Sequence, residues 1–413
     1  MKKKELKRNQ NQTEADLDGL KDGNLLELLN ISPITFLYLQ LLEKSLNDLA
    51  LKEREDYLKR NPNDSANGFY TRTLYYATSP LSVRVPRTRS SNFFPKSLPK
   101  YQRVLPKVYE QLVESIILSS RSIESAKRSM KTLGLPINEP TIDGIVEEYA
   151  NDFRQYVSRE LDSDYFIIFM DAKVLHVKED GKVKRMVMIT AVGVNMEGMK
   201  EVLGCMIFEG NETIDKWREF ILDLQNRGVR RVLLFVTDNF PGLTKLIRGL
   251  FPMAMHQLCI VHLIRNAKTH LKREDYRRFR REMAKIERSE DFDQAYTLFL
   301  ELIEWLREKG YIHFSKELSR KAEHYVVFTK FPMEIRTRVK STNASENLHK
   351  ELEKIKQNGG GYFQSMRILE AKWGMYLRKL REGRWRRPEP RFKGALPELY
   401  RLFRSIYESG EVF

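Results

Sequence analysis

Two apolar runs in this chain each deliver one aspartate: Tyr165 to Met170 is followed by Asp171, and Val232 to Thr237 by Asp238. Burying a carboxylate without a partner costs several kcal/mol, and where carboxylates converge a divalent cation is the usual partner. A third acid, Glu346, lies far downstream at the start of an amphipathic stretch. If the three meet, they form a hard-oxygen site suited to Mg²⁺ or Mn²⁺ and to phosphoryl transfer. Each acid also has a plainer explanation. Asp171 can simply mark a strand end, and Asp238 can serve an Asx-turn or helix cap ahead of Pro241 and Gly242. Glu346 fits a capping box, with Asn343 as N-cap and the glutamate at N3 reaching back to its amide.

A second constellation is Cys259 and His262, with His256 and His270 nearby. The Cys-x-x-His spacing suits a metal, but a tetrahedral zinc site needs two more ligands. Packing, or the positioning of DNA or of Asp238, is the plainer reading. His349 follows Glu346 on the same helical face, as either a contact to a phosphate or a solvated surface histidine, the second being expected. Trp217 reads as core and Trp305 as packing or base stacking, while Trp385 sits inside an arginine run as a possible stacking contact.

The elements that must hold these residues follow from periodicity. Leu25 to Tyr57 has helical spacing. Phe69 to Arg87 alternates as an extended hairpin with its turn at Ser79 and Pro80, and its tail presents Arg84, Arg87 and Arg89. Tyr101 to Tyr156 predicts three short helices, the third capped by Thr141, an arrangement compatible with a helix-turn-helix. Strands follow at Tyr165–Met170, Lys184–Val194 and Glu201–Phe208, joined by hairpin turns. A helix over Ile214–Arg227, a fourth strand over Val229–Thr237, a helix to Phe251 and a short strand over Met253–Leu258 complete the order. This β-β-β-α-β-α-β-α succession is that of the ribonuclease H-like fold, in which the first and fourth strands are neighbours in a mixed five-stranded sheet. That adjacency would bring Asp171 to Asp238. Residues 261–335 are helical and highly charged, and two more helices flank Gly359 to Gly361.

Bulk properties narrow the class. The 413 residues carry 72 Lys and Arg against 56 Asp and Glu, a net charge of +16, which favours a polyanion such as nucleic acid. A dense basic run from Arg378 to Lys393 holds eight Lys and Arg, among them Arg384, Arg386 and Arg387, against Glu382 and Glu389. With 41% apolar residues, sizeable cores can form. Two cysteines exclude a disulfide scaffold and suit a reducing compartment. The polar N-terminus lacks a signal peptide's apolar core, and no run has membrane-span length, so the expectation is a soluble, cytoplasmic protein.

Several blocks, in order and correctly spaced, resemble the DDE transposases of prokaryotic insertion sequences in the Mutator-like group. They are Val85–Arg89, Tyr101–Arg103, Met170–Lys173, Ala191–Val194, Val202–Gly204, Thr237–Leu243, Gln257–His262 with Arg265 and Asn266, and Ser341–Asn347. The family's acidic triad then falls on Asp171, Asp238 and Glu346. The chain has Asp238-Asn239 where the family more often has Asp-Gly.

The resemblance implies two Mg²⁺ or Mn²⁺ ions per site, with Asp171 bridging both. It also implies nicking of terminal inverted repeats to expose 3′-OH ends, and joining of those ends to target DNA by a homodimer or higher oligomer at the nucleoid. Cys259, His262, Asn343 and His349 are expected to support the site. Arg84, Arg87, Arg89, Arg265, Arg378, Arg384, Arg386 and Arg387 are expected on DNA. The alternatives are another ribonuclease H-like nuclease or resolvase, or a transposase-derived protein that only binds DNA.

The expected organisation begins with an arm and helices at 1–60, an extended linker region at 61–100 and a helix-turn-helix-like DNA-binding domain at 101–160. A ribonuclease H-like core at 161–272 follows, with an all-helical insertion at 273–340, the last catalytic helices at 341–380 and a basic tail at 381–413.

Overall fold

A computed structural model describes residues 33–76, 79–100, 106–132 and 139–408. The arm expected at 1–22, the Tyr101–Arg103 block and most of the break after Leu133 lie outside them. The chain divides into two compact units: one comprises 1–116 and 127–137, the other 117–126 and 138–413.

In the first unit, helix α1 (Pro33–Arg60) packs on a hairpin of β1 (Ala66–Tyr76) and β2 (Ser79–Thr88). Leu81, Val83 and Val85 alternate inward along β2 and meet Leu39 and Ala50 of the helix. Polar side chains of α1 satisfy the free edge of β2: Ser82 N–H donates to Glu43 (2.8 Å) and Arg84 N–H to Asn47 (2.7 Å). Covering an edge in this way removes a template for unwanted strand pairing. The turn expected at Ser79 and Pro80 is displaced, because both residues pair within β2, opposite Tyr76 and Tyr75.

Three helices follow, α2 (Pro106–Ser119), α3 (Ile123–Thr132) and α4 (Glu139–Ser158). The last starts ahead of Thr141, which is therefore inside the helix and not its cap.

The second unit is built on a mixed five-stranded sheet in the order β5-β4-β3-β6-β7. Its strands are β3 (Asp164–Glu179), β4 (Lys182–Asn195), β5 (Lys200–Glu209), β6 (Arg231–Thr237) and β7 (Met255–Leu258). The first three are antiparallel neighbours, and β3, β6 and β7 run parallel. Asp180 and Gly181 link β3 to β4 with φ of 50° and 77°, the two positive values that a type I′ turn requires.

Helices α5 (Ile214–Asn226) and α6 (Leu243–Leu250) cover one face of the sheet, burying Trp217, Phe220, Ile221 and Leu246. The other face carries α4, α13 (Asn343–Asn358), α14 (Met366–Glu382) and α15 (Pro390–Tyr407). Burial on both faces explains why β3 and β6 read as almost continuous apolar runs. Gly374 lets α14 approach α4 closely, since a Cβ there would lie 2.6 Å from the Tyr149 carbonyl oxygen. Part of the segment read as a basic tail is the core helix α15, which buries Phe392, Leu399 and Phe403.

Between β7 and α13 the chain is helical: α7 (Ile260–His270), α8 (Arg273–Ile286), α9 (Phe292–Glu308), α10 (Ile312–Ser319), α11 (Ala322–Val326), one 3₁₀ turn and α12 (Met333–Val339). Phe279, Phe299 and Leu306 are wholly buried there, each contributing about 1.5–3 kcal/mol by leaving water. Trp305 is buried with the Arg278 guanidinium 4.6 Å above its ring. Among the described residues, no helix is long and apolar enough to cross a membrane.

Candidate active site

The register of β3 on β6 brings the two aspartates together. Phe169 pairs with Val236, the last pair of that parallel ladder, and Asp171 and Asp238 each stand two residues further on. Adjacent strands lie about 4.8 Å apart, so both carboxylates leave the same edge of the same face. One expectation needs correction, because Asp171 does not end its strand. β3 continues to Glu179 against β4, with Asp171 opposite Thr190; it is β6 that stops.

Glu346 reaches the aspartates through α13, which is fastened at three points. Ile260 N–H donates to the Lys340 carbonyl (2.9 Å), Cys259 Sγ accepts from Thr342 N and Oγ1 (both 3.4 Å), and Ser345 Oγ donates to the Phe169 carbonyl (3.3 Å). Cys259 thus holds the entry to the helix that carries Glu346. The capping box is absent: Thr342 is the N-cap, no side chain caps the helix, and Asn343 is exposed at its first position. The Glu346 carboxylate turns instead into a cleft of about 730 Å³ shared with Asp171 and Asp238.

Each of the three acids meets a basic side chain. His349 Nδ1 lies 3.0 Å from Asp171 Oδ2, and its Nε2 lies 3.2 Å from Thr190 Oγ1. His349 is only 4% exposed, which overturns the expectation of a solvated histidine. His262 Nδ1 lies 2.5 Å from Asp238 Oδ1. That contact is an ion pair without hydrogen-bond alignment, and it leaves both buried atoms without a directed partner. Arg265, one turn along α7, grips Glu346 with Nη1–Oε1 at 3.0 Å and Nη2–Oε2 at 3.2 Å. Lys350 adds a contact to Oε2 at 3.7 Å.

The electrostatics report the same convergence. Burial raises the pKa of Asp238; His262 opposes the rise, and the charges of Asp171 and Glu346 add to it. Burial alone would lower His262, but Asp238 and Cys259 outweigh it and push the imidazole up to about 10. Oxygen, sulfur and nitrogen atoms of Asp238, Cys259 and His262 lie within 4.8 Å of one another. The thiol is already engaged by Thr342, so this trio ties the second aspartate to the start of α13.

One acid escaped the sequence reading. Burial raises the pKa of Glu212, with smaller contributions from Asp238 and Asp171, and Trp217 Nε1 donates to it at 2.8 Å. Its only sequence signal is an acid just before the Thr213 cap of α5. Asn239, the departure from Asp-Gly, donates to Glu317 of α10 at 3.0 Å and accepts from Lys321, which clamps the exit of β6 to the helical segment.

The arginines singled out by sequence separate into groups. Arg265 and Arg384 line the cleft. Arg386 and Arg387 are exposed just beyond it in sequence, and Arg378 pairs with Glu382 on α14 (3.0 Å). Arg84, Arg87 and Arg89 lie in the first unit, all exposed, with Arg84 stacked 4.6 Å over Phe69.

Comparison with known proteins adds a consistent picture. The family model described as "Transposase, Mutator family" matches residues 1–365. A transposase for insertion sequence element IS905 of Lactococcus lactis is 29% identical over 322 residues, covering 76% of this chain and 81% of the relative. That for ISRM3 of Rhizobium meliloti is 26% identical, covering 78% and 82%. That for IS256 in transposon Tn4001 of Staphylococcus aureus is 25% identical, covering 74% and 80%.

Proposed function

The chain belongs to the Mutator family of transposases, and from that premise we propose that it nicks and rejoins DNA with Asp171, Asp238 and Glu346 as its reacting-site carboxylates. The observation that carries this reading is the register of β3 on β6, which aligns Asp171 with Asp238 beside a cleft that Glu346 also lines. We read the sheet order and its helical crossovers as a ribonuclease H-like core, with the helices from Arg273 to Val339 as an insertion.

The donor set fits Mg²⁺ or Mn²⁺. It consists of carboxylates in a partly desolvated cleft, and the buried Asp238 Oδ1 has no aligned hydrogen-bond donor. Two such ions, held by Asp171, Asp238 and Glu346, would supply nucleophile activation and stabilisation of the leaving oxygen. The protein's own groups do the rest. His349, anchored on Thr190, fixes the Asp171 carboxylate. His262 neutralises Asp238, and Arg265 holds Glu346 until DNA and cations compete for the two partners. Lys173, Lys350, Lys354 and Arg384 in the cleft wall draw in the phosphate backbone. Nicking is attack of a water oxygen on phosphorus with cleavage of the P–O3′ bond, which frees a 3′-hydroxyl. Joining is attack of that hydroxyl on a target phosphate, with the target's own 3′-oxygen as the leaving group.

The substrate on this reading is double-stranded DNA, the element's inverted-repeat ends and the target, bound by a homodimer or larger assembly. The test is incubation of the purified protein with duplexes carrying the element's ends. Strand nicking and end joining with Mg²⁺ or Mn²⁺, and neither with EDTA, are expected. Cleavage of four-way junctions with inert element ends would move the reading to a resolvase. All three carboxylates are present, so nothing favours a derivative that only binds DNA.

A further inference from the structure

A cavity of about 250 Å³ shares no lining residue with the catalytic cleft. It exceeds the roughly 150 Å³ that encloses a benzene ring. Helix α6, β7 and α11 meet there with the end of α15. Ile247, Met253 and Val327 give it an apolar wall, Arg248 and Lys330 bring positive charge, and Glu323 adds a carboxylate. Two polar atoms of its lining residues, His256 Nδ1 and Thr244 Oγ1, are buried without a hydrogen-bond partner, whereas buried polar atoms are normally paired. The state of His256 follows from its neighbour. Thr237 Oγ1 donates its one proton to the Asp238 carbonyl at 2.8 Å, so His256 Nε2, also 2.8 Å from that oxygen, is the donor to it. The neutral ring then carries a bare lone pair on Nδ1.

We infer that this cavity binds a small apolar molecule carrying both an acid group and an N–H or O–H donor, the chemistry of free apolar amino acids and of 2-hydroxy acids. The inference is independent of the function proposed for the cleft. Two cationic side chains oppose a metal ion, and a bare ring nitrogen opposes an oxyanion that has no proton to offer. An acid alone leaves His256 Nδ1 unmet, and an amine alone leaves Arg248 and Lys330 unmet. The Lys330 ammonium is held at the wall, 4.4 Å over the Phe292 ring. The apolar wall takes the body of the molecule, which inorganic anions lack. Occupancy reaches the cleft through one side chain. A donor on Nδ1 polarises the imidazole and strengthens the Nε2–H bond to Thr237, the residue that precedes Asp238.

The experiment is titration calorimetry of the full-length protein, free of DNA, with leucine, phenylalanine and their 2-hydroxy analogues; the two series distinguish an amine donor from a hydroxyl. At least one probe is expected to bind with Kd below about 1 mM. The matching acid without the donor, and the matching amine without the acid, should each bind about tenfold more weakly or worse. Arg248→Met and Thr244→Val should weaken the bound probe, and inorganic phosphate should not bind. In wild-type protein carrying isotope-labelled histidine, the bare-nitrogen resonance that His256→Gln lacks should move when the probe is added. This second measurement does not depend on how Arg248→Met or Thr244→Val folds. Absence of binding by every probe overturns the inference. So do equal binding of the donor-free acid or of phosphate, unchanged affinity in both variants, and an unmoved His256 resonance. None of these results bears on nicking, so the cleft's function stands or falls separately.

Discussion

Arg265 closes on Glu346 through two parallel bonds of 3.0 and 3.2 Å, so the carboxylate read as the third ligand is held by a guanidinium. The acid is buried, with its side chain 8% exposed, whereas the arginine side chain is 56% exposed. Its pairing is therefore solvent-screened, and removing it should cost only about 1 kcal/mol. The larger consequence is competition, because a cation at Glu346 must displace the guanidinium. Arg265→Met is predicted to melt slightly lower than wild type in EDTA and to gain more in melting temperature from added Mn²⁺. A smaller Mn²⁺ gain than in wild type would contradict the competition.

The chain Thr190–His349–Asp171 makes a second prediction. His349 holds one Asp171 oxygen from behind, and groups in that position typically support metal affinity or activity by about 10–100-fold. His349→Phe should lower nicking within that range while leaving the far-ultraviolet circular dichroism unchanged, and His349→Gln should lose less. Equal activity in His349→Phe would reduce the contact to packing.

Cys259 is predicted to act through Thr342 and not through a metal. Cys259→Ala leaves two donors, Thr342 N and Oγ1, without their buried acceptor, at about 1–3 kcal/mol. Urea unfolding should show that loss in protein stripped with EDTA, and Cys259→Ser should recover part of it. Disappearance of the difference in EDTA would return the site to zinc.

These contacts mark what the sequence could and could not convey. The paired aspartates were legible because both strands are buried on two faces and read as apolar runs, and because sequential strand order implies their adjacency. That β3 runs on past Asp171 was not legible: its extension has left β6 and pairs with β4 and, around Val177, with Phe363, and the residues after Asp171 are mixed in polarity. The Glu346 segment satisfies the pattern of a capping box, yet tertiary partners 81 residues away, at Arg265, claim its carboxylate. His349 looked solvated because it shares the Glu346 side of the helix pattern, yet in α13 that side is buried against Asp171 and Thr190 of the sheet. Glu212 sits in a connection with no periodicity. Ion pairs of this range have no local signature.

His256 sets a pH dependence. It is fully enclosed, with Nε2 2.8 Å from Thr237 Oγ1, and burial lowers its pKa from 6.5 to about 3. Below pH 6.5 the unfolded chain takes up a proton that the folded chain refuses, so stability present above 6.5 is lost progressively as pH falls toward 3. Urea unfolding at pH 7.5 and pH 5 should show this loss, and His256→Gln should shrink it. An unchanged pH difference in the variant would assign it to other groups.

The central claim is that Asp171, Asp238 and Glu346 act as one site, and its most direct test is Mg²⁺-dependent nicking of element ends by Asp171→Asn, Asp238→Asn and Glu346→Gln proteins. The account predicts that each variant, folded by circular dichroism and still binding DNA, loses nicking by at least a thousandfold. Wild-type nicking by any one of them would contradict it.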